Sequence, residues 1–294
     1  VRSYLTLLRL PYQWQLGPIF GWGFLLGGGT WNQWPDVALF LWVFCAFHVG
    51  GFGGLTALNS FYDRDDGPIG GLWQPPPPPP LLWHFAWCVQ ALGLLMLLPV
   101  SLVLSALYVM ILALALGYSH PRTRWKGRPW LSVLVVGIGQ GTFDFLAGAT
   151  LAGNISGISL WCAALGATLI VCGFFPLTQL FQLTDDAHRG DYTTAAALQR
   201  RFGRRGVFVW AQGCFLLGST LNACAVLQRT SWREALIVWC GSCIWLVLIA
   251  SWRRKIPAGS VSRSDWQHMN RLLRAASASF GAYVVWRLCI GGYS

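Results

Sequence analysis

Six of the chain's ten acidic residues stand in two short stretches, Asn59-Ser-Phe-Tyr-Asp63-Arg-Asp65-Asp66 and Gln179-Leu-Phe-Gln182-Leu-Thr-Asp185-Asp186 with Gly190-Asp191 close behind. The sequence around both is strongly apolar. Carboxylates set beside lipid are costly, and a matched pair of such clusters points to function rather than to two solvated loop ends. At about 100° per residue, Asn59, Asp63 and Asp66 share a face at i, i+4 and i+7 if the helix continues through the acidic segment. Gln179, Gln182 and Asp186 do the same at i, i+3 and i+7. Hard oxygen donors in this array suit Mg²⁺, which keeps several waters and prefers a few carboxylates plus substrate phosphates. Neighbouring Arg and Lys supply charge-assisted hydrogen bonds for a diphosphate. A site of this kind at the membrane surface, opening on an apolar interior, suits an isoprenoid diphosphate with its head on the metal and its tail in the bundle.

The elements that must carry these residues are membrane helices. Hydrophobic residues make up 55% of the chain, charged residues 11%, and the mean hydropathy is +0.50. Apolar runs near the ~20 residues needed to cross a bilayer recur along it. We read an all-α membrane protein of nine spans, roughly 14–30, 36–62, 81–99, 101–119, 131–152, 158–183, 206–227, 232–252 and 272–291. No connection is long enough to hold a soluble domain of ~50 residues. The two acidic clusters, about four spans apart, suggest one membrane domain over 1–294 made of related halves, about 1–130 and 131–294, facing across a central cavity.

The net charge of +11 is distributed as topology rather than as a nucleic-acid footprint. Arg2 and Arg9, Arg64, the run Arg122, Arg124, Lys126 and Arg128, the group Arg189 to Arg205, and Arg253 to Lys255 all fall on one side of a nine-span chain. That side is cytoplasmic by the positive-inside rule, with the N-terminus inside, the C-terminus outside and both acidic clusters at inward ends of spans. The expected location is a bacterial inner or intracytoplasmic membrane, with basic loops touching anionic lipid. No small-residue cleavage site follows a short apolar region near Val1, so no cleaved leader is expected.

Other reactive residue types read as structure. The nine cysteines are scattered through apolar spans and behave as small hydrophobes. The histidines, His48 among them, show no metal-ligand spacing. Pro75 to Pro80 reads as a stiff spacer ahead of the third span. Asp144 lies well inside the fifth span, where desolvation favours the neutral acid; a pairing with Arg287, at similar depth in the ninth span, and a hydrogen bond to a neighbouring helix are both open.

The sequence resembles the UbiA superfamily of intramembrane prenyltransferases over essentially its whole length. Asn59-Ser-Phe-Tyr-Asp63-Arg-Asp65-Asp66 is similar to the first aspartate-rich motif, and Asp186-Ala-His-Arg-Gly190-Asp191-Tyr-Thr193-Thr-Ala to the end of the second. Gly117-Tyr118-Ser119, Pro121 and the basic residues after them resemble the loop following the fourth span. Ser60, Gly67 and Gln182 stand where the motifs usually carry acids, and Asp66 comes one residue early. The resemblance implies a UbiA-type bundle of nine helices around a cavity, with Mg²⁺ bridging to a prenyl diphosphate. It assigns metal binding to Asp63, Asp66, Asp185 and Asp186, support to Asn59, Asp65 and Gln182, and diphosphate contacts to Tyr118, Arg122, Arg124 and Lys126. Two readings follow. One is Mg²⁺-dependent prenyl transfer to a lipophilic acceptor of the quinone-precursor, tetrapyrrole or carotenoid class. The other is a catalytically weakened subunit that binds lipid, quinone or pigment within a larger membrane complex.

Overall fold

The computed structural model describes residues 1–255 and 263–293, with the side chains of Asp185 and Lys255 excepted. Its elements run α1 (Arg2–Leu7), α2 (Leu10–Gln13), α3 (Gly17–Leu26), α4 (Trp34–Cys45), a π-helical stretch (Ala46–Gly53), α5 (Gly54–Asp63), α6 (Leu82–Leu97) and α7 (Leu102–Ser119). After them come α8 (Pro129–Val136), a second π-helical stretch (Gly137–Phe143), α9 (Asp144–Leu151), α10 (Ile158–Gln179), α11 (Leu183–His188), α12 (Thr194–Leu227), α13 (Trp232–Lys255) and α14 (Arg263–Cys289). No strand is present among the described residues; the isolated bridge between Ile69 and Leu72 is a tight turn.

Six helical stretches among the described residues are long and apolar enough to cross a bilayer: Trp34–Asp63, Leu102–Ser119, Pro129–Leu151, Ile158–Gln179, Thr194–Leu227 and Trp232–Arg254. Gly17–Leu26 and Leu82–Leu97 are apolar but shorter. Several expected boundaries move for local reasons. The apolar pattern of 14–30 contributes only Gly17–Leu26, because Gly28 takes a positive φ. Helices α6 and α7 are separated at Ser101, whose hydroxyl accepts from Leu104 N and caps α7. Helix α12 starts twelve residues before the expected span and is broken at Gly203, whose φ of 68° belongs to glycine.

The chain forms two compact units. The first comprises Val1–Trp125, Phe143–Ile155 and Ser277–Ser294; the second comprises Lys126–Thr142 and Ser156–Ala276. In the first, α3 and α9 approach so closely that a Cβ on Gly23 would lie 1.9 Å from the Phe145 carbonyl oxygen, and one on Gly148 would lie 1.9 Å from that of Phe20. Small residues of this kind let helices pack by van der Waals contact where lipid supplies no hydrophobic drive. Leu7, Leu8, Ala57, Leu58, Leu82 and Ala86 close the core beside α5. In the second unit α10 packs along α12, with Leu177, Leu198, Phe208, Phe215 and Trp252 buried together.

Candidate functional site

In the first unit the site residues gather at the C-terminal end of α5. That helix stops at Asp63 because Arg64 enters the left-handed region, φ 48° and ψ 48°, while its N–H still bonds to the Ser60 carbonyl. The expected i, i+7 relation of Asp66 to Asn59 therefore does not exist: Asp66 lies beyond the helix, exposed, in an irregular segment. Asn59 is held from α7, where Ser119 Oγ donates to Asn59 Oδ1 at 2.8 Å. Tyr118 is adjacent to this contact along the same turn.

Arg9 is a site residue that the sequence reading treated only as a topology signal. It sits between α1 and α2 with φ 50°, is 8% exposed, and its Nη2 donates to Ser60 Oγ at 2.7 Å. Burial pulls its guanidinium below the usual range, against the opposing charges of Asp65, Tyr12, Asp63 and Tyr118. Burial likewise raises the Tyr12 hydroxyl, with Arg9 pulling the other way. Ser60, the residue in place of a motif acid, thus serves as the acceptor for a buried cation that faces Asp63 and Asp65. Arg122 is exposed, and its backbone N–H bonds to His120 Nδ1 at 3.2 Å. Arg124 is half-buried, with φ 41°.

In the second unit, α10 ends at Gln179, and residues 180–182 turn before α11. Gln179, Gln182 and Asp186 accordingly do not share a continuous helical face. The Gln179 side chain is used otherwise, its Oε1 accepting from Ala195 N at 3.0 Å at the buried start of α12. Gln182 is half-buried and its carbonyl accepts from Asp186 N at 2.7 Å. Asp186 is 9% exposed and accepts from Arg189 Nη2 at 2.9 Å. Burial raises its carboxyl to about 6, opposed by Arg189, reinforced by the charge of Asp191 and opposed also by that of Lys126. Asp185 lies on α11, with its side chain outside the described ones.

Asp191 belongs with this group, although the sequence reading quoted it in the motif without placing it among the ligands. It is 7% exposed, its N–H bonds to the Asp186 carbonyl at 2.8 Å, and a Cβ on Gly127 would lie 2.9 Å from its Oδ1. The residues after it form the α12 start: Thr193 Oγ1 accepts from Ala196 N, and the Thr194 hydroxyl donates to the Pro129 carbonyl. Lys126 is buried in the same unit. The signal for Asp191 was present, since the Thr-x-Ala segment that follows is the N-cap that anchors it.

Each unit therefore presents oxygen donors beside cations, with a tyrosine hydroxyl in the first and buried Lys126 in the second. No group of three or more His, Cys, Asp or Glu side chains able to hold a metal closes within the described residues. The family model for the UbiA prenyltransferase family matches residues 16–272. The chain belongs to that family. No curated protein matches the sequence. Among solved structures, the UbiA homologue from Archaeoglobus fulgidus bound to DMAPP and Mg²⁺ is similar, with 19% identity and a TM-score of 0.70 over 97% of this chain and 99% of the other. The apo UbiA homologue from Aeropyrum pernix K1 gives 19% and 0.65 over 94% and 97%. A digeranylgeranylglyceryl phosphate synthase gives 16% and 0.63 over 99% and 98%. At these identities the likeness establishes a shared UbiA fold. Asn59, Asp63 and Asp65 lie in the first segment of the UbiA resemblance, and Asp186 and Asp191 in the second.

Proposed function

We propose that this chain transfers an isoprenyl group from a prenyl diphosphate to a lipophilic acceptor of the quinone-precursor, tetrapyrrole or carotenoid class, with Mg²⁺ as cofactor. The observation that carries this is the gathering of Asp63, Asp65, Tyr12 and Tyr118 around buried Arg9, with Asn59 bonded to Ser119 next to Tyr118, together with Asp186, Asp191, Lys126 and Arg189 in the other unit. It is supported by family membership and by the A. fulgidus homologue structures bound to DMAPP and Mg²⁺ and to GPP and Mg²⁺.

The donor set fits Mg²⁺. It is made of hard carboxylate and amide oxygens, and a carboxyl raised to about 6 by burial is one whose ionisation a bound cation would favour. A magnesium ion that keeps waters and takes phosphate oxygens needs few protein ligands. Asp63, Asp66, Asp185 and Asp186 would hold it, joined by Asp191, while Asn59 and Gln182 orient the site. Bound there, Mg²⁺ would neutralise charge on the departing diphosphate.

The chain's own residues do the rest. Tyr118, Arg122, Arg124 and Lys126 donate to the diphosphate oxygens, and Arg9 holds Asp63 and Asp65 in place. As the bond between the allylic carbon and the diphosphate oxygen breaks, these fixed donors stabilise the charge that leaves with the diphosphate. The acceptor attacks the allylic carbon and loses its proton. Nine crossings would place the N-terminus and both acidic segments on the cytoplasmic side of a bacterial membrane.

Purified protein in lipid nanodiscs, given Mg²⁺, labelled prenyl diphosphates and lipid extract, is expected to consume the diphosphate, and Asp63→Ala to abolish consumption while keeping the fold. Near wild-type turnover by Asp63→Ala overturns the site assignment. A second reading, a catalytically weakened pigment- or lipid-binding member, is favoured by Ser60, Gly67 and Gln182 in place of acids and by the Asp186–Arg189 pair. It expects little coupling between Mg²⁺ and a non-reactive prenyl diphosphate, whereas the first expects strong coupling.

A further inference from the structure

His48 and Asp144 belong to neither acidic segment and take no part in the proposed reaction. His48 is in the π-helical stretch Ala46–Gly53, and Asp144 opens α9 directly after the π-helical stretch Gly137–Phe143. His48 Nε2 stands 3.7 Å from Asp144 Oδ2, with the two side chains 1% and 0% exposed. The imidazole is stacked on Phe44 at 4.0 Å and edged by Phe52 and Phe20. His48 Nδ1 is 3.1 Å from the Phe44 carbonyl oxygen; a carbonyl only accepts, so Nδ1 carries a proton and Nε2 faces the carboxyl. Neither Asp144 oxygen nor His48 Nε2 has a hydrogen-bond partner. A lone carboxylate buried this completely costs several kcal/mol. One proton shared between Asp144 and Nε2 leaves the pair with no net charge.

The stretch that holds His48 needs such a brace. Its sequence, Ala46-Phe-His-Val-Gly-Gly-Phe-Gly53, has His48 as its sole polar side chain and three glycines that cost little to rearrange. π-Helical turns are rare, and they concentrate at functional sites. Helix α5 continues from it at Gly54, with Asn59 and Asp63 on its later turns. Reversion of the stretch to α-helix by one residue would rotate all of α5 by about 100°. That rotation would take Asn59 off Ser119 and Ser60 off Arg9.

We propose that His48 and Asp144 form a proton-sharing positioning pair that fixes the π-helical register of the second span and thereby aims Asn59 and Asp63. The pair rests on the reading of Asn59 and Asp63 as diphosphate-site residues, but its effect on α5 is measurable without any ligand.

The test uses the full chain in nanodiscs, with His48→Phe, Asp144→Leu, the double variant and Asp144→Asn. Three quantities are read: melting temperature, hydrogen exchange over Gly54–Asp63, and Mg²⁺-dependent affinity for a non-reactive prenyl diphosphate. Each single apolar change strands a buried polar partner, so both should lower the melting temperature, and the double variant should recover it. Faster exchange in α5 and affinity lowered by about tenfold should persist in the double variant, because apolar contact does not fix the register. Asp144→Asn, whose amide N–H still donates to Nε2, should keep exchange and affinity near wild type. Additive melting effects overturn the pair. Restored α5 exchange in the double variant overturns the positioning role. Wild-type protein that fails to bind the analogue defeats the functional reading alone, since the exchange data still decide the pair.

Discussion

Replacing Asp186 by Asn should stabilise the metal-free protein at neutral pH, a result opposite to the usual cost of removing an ion-paired acid. Burial raises the Asp186 carboxyl from 3.8 to about 6 even with Arg189 at 2.9 Å. That rise, at about 1.4 kcal/mol for each tenfold change in the ionisation constant, amounts to an ionisation cost of about 3 kcal/mol. The folded chain retains a proton that the unfolded chain releases between pH 3.8 and about 6. Its stabilising contribution is therefore complete below the unfolded value and lost as pH rises through the folded one. Asn cannot ionise, and its amide oxygen still accepts from Arg189. Thermal melting in detergent without Mg²⁺ should show Asp186→Asn more stable by about 1–3 kcal/mol at pH 7.5, with the two proteins converging near about pH 4. Protons and Mg²⁺ then compete for one carboxylate, so apparent Mg²⁺ affinity through Asp186 should fall by about tenfold between pH 7.5 and pH 5. An Asp186→Asn protein that melts below wild type at pH 7.5, with the same pH dependence, would refute the reasoning.

Ser119→Ala removes the 2.8 Å bond to Asn59, which should cost about 1 kcal/mol of stability and weaken Mg²⁺-dependent analogue binding by roughly tenfold; unchanged affinity in a titration would take Asn59 out of the site. Arg9→Met keeps the apolar stem but removes the cation that bonds Ser60 and faces Asp63 and Asp65. Calorimetry should show a loss of about 2–3 kcal/mol without metal, and added Mg²⁺ should stabilise this variant more than wild type. Gln179→Leu leaves the Ala195 N–H unsatisfied and should lower the melting temperature by an equivalent of about 1–2 kcal/mol with Mg²⁺ affinity unchanged; a large loss of affinity would restore Gln179 to the metal site.

The helical membrane class was legible because apolar runs of spanning length have few other uses in a polypeptide. The separation of α6 from α7 was legible only as the short gap between the apolar runs 81–99 and 101–119, yet Ser101 makes it a capped helix start. Helix ends were the chief failure. A periodicity argument assumes that the helix goes on, and nothing in the run Tyr62-Asp-Arg-Asp announces that Arg64 turns left-handed. Asp66 lost its face relation for that reason, and Gln179 and Asp186 lost theirs at the turn before α11. Arg9 was read with Arg2 as a topology signal, since one arginine ahead of a span looks like any other; its backbone φ and its contact to Ser60 are tertiary facts. For the Asp144 carboxyl, depth along the bundle left open a pairing with Arg287 and a hydrogen bond to a neighbouring helix. The carboxyl faces His48, while the Arg287 guanidinium donates to the Gly292 carbonyl and lies over the Tyr293 ring. Depth alone cannot choose between neighbours when a π-helical stretch resets the angular position of every residue near it.

The placement of Asp63 carries its own argument about function. It is the last residue of α5, where unsatisfied carbonyls give the helix end a partial negative charge of about half an electron. An acid there is disfavoured, and Asp65 and Asp66 follow within three residues. Stability alone favours cations at this end, such as the C-cap Arg64, and not three acids. The chain adds a further cation from outside the helix, Arg9, and buries it against Ser60 and the charges of Asp63 and Asp65. Three carboxylates and a helix terminus concentrate negative charge here, and Arg9 is one of the cations set against it. Such a field favours a compact cation, and that demand is what the metal-dependent stabilisation of Arg9→Met would measure.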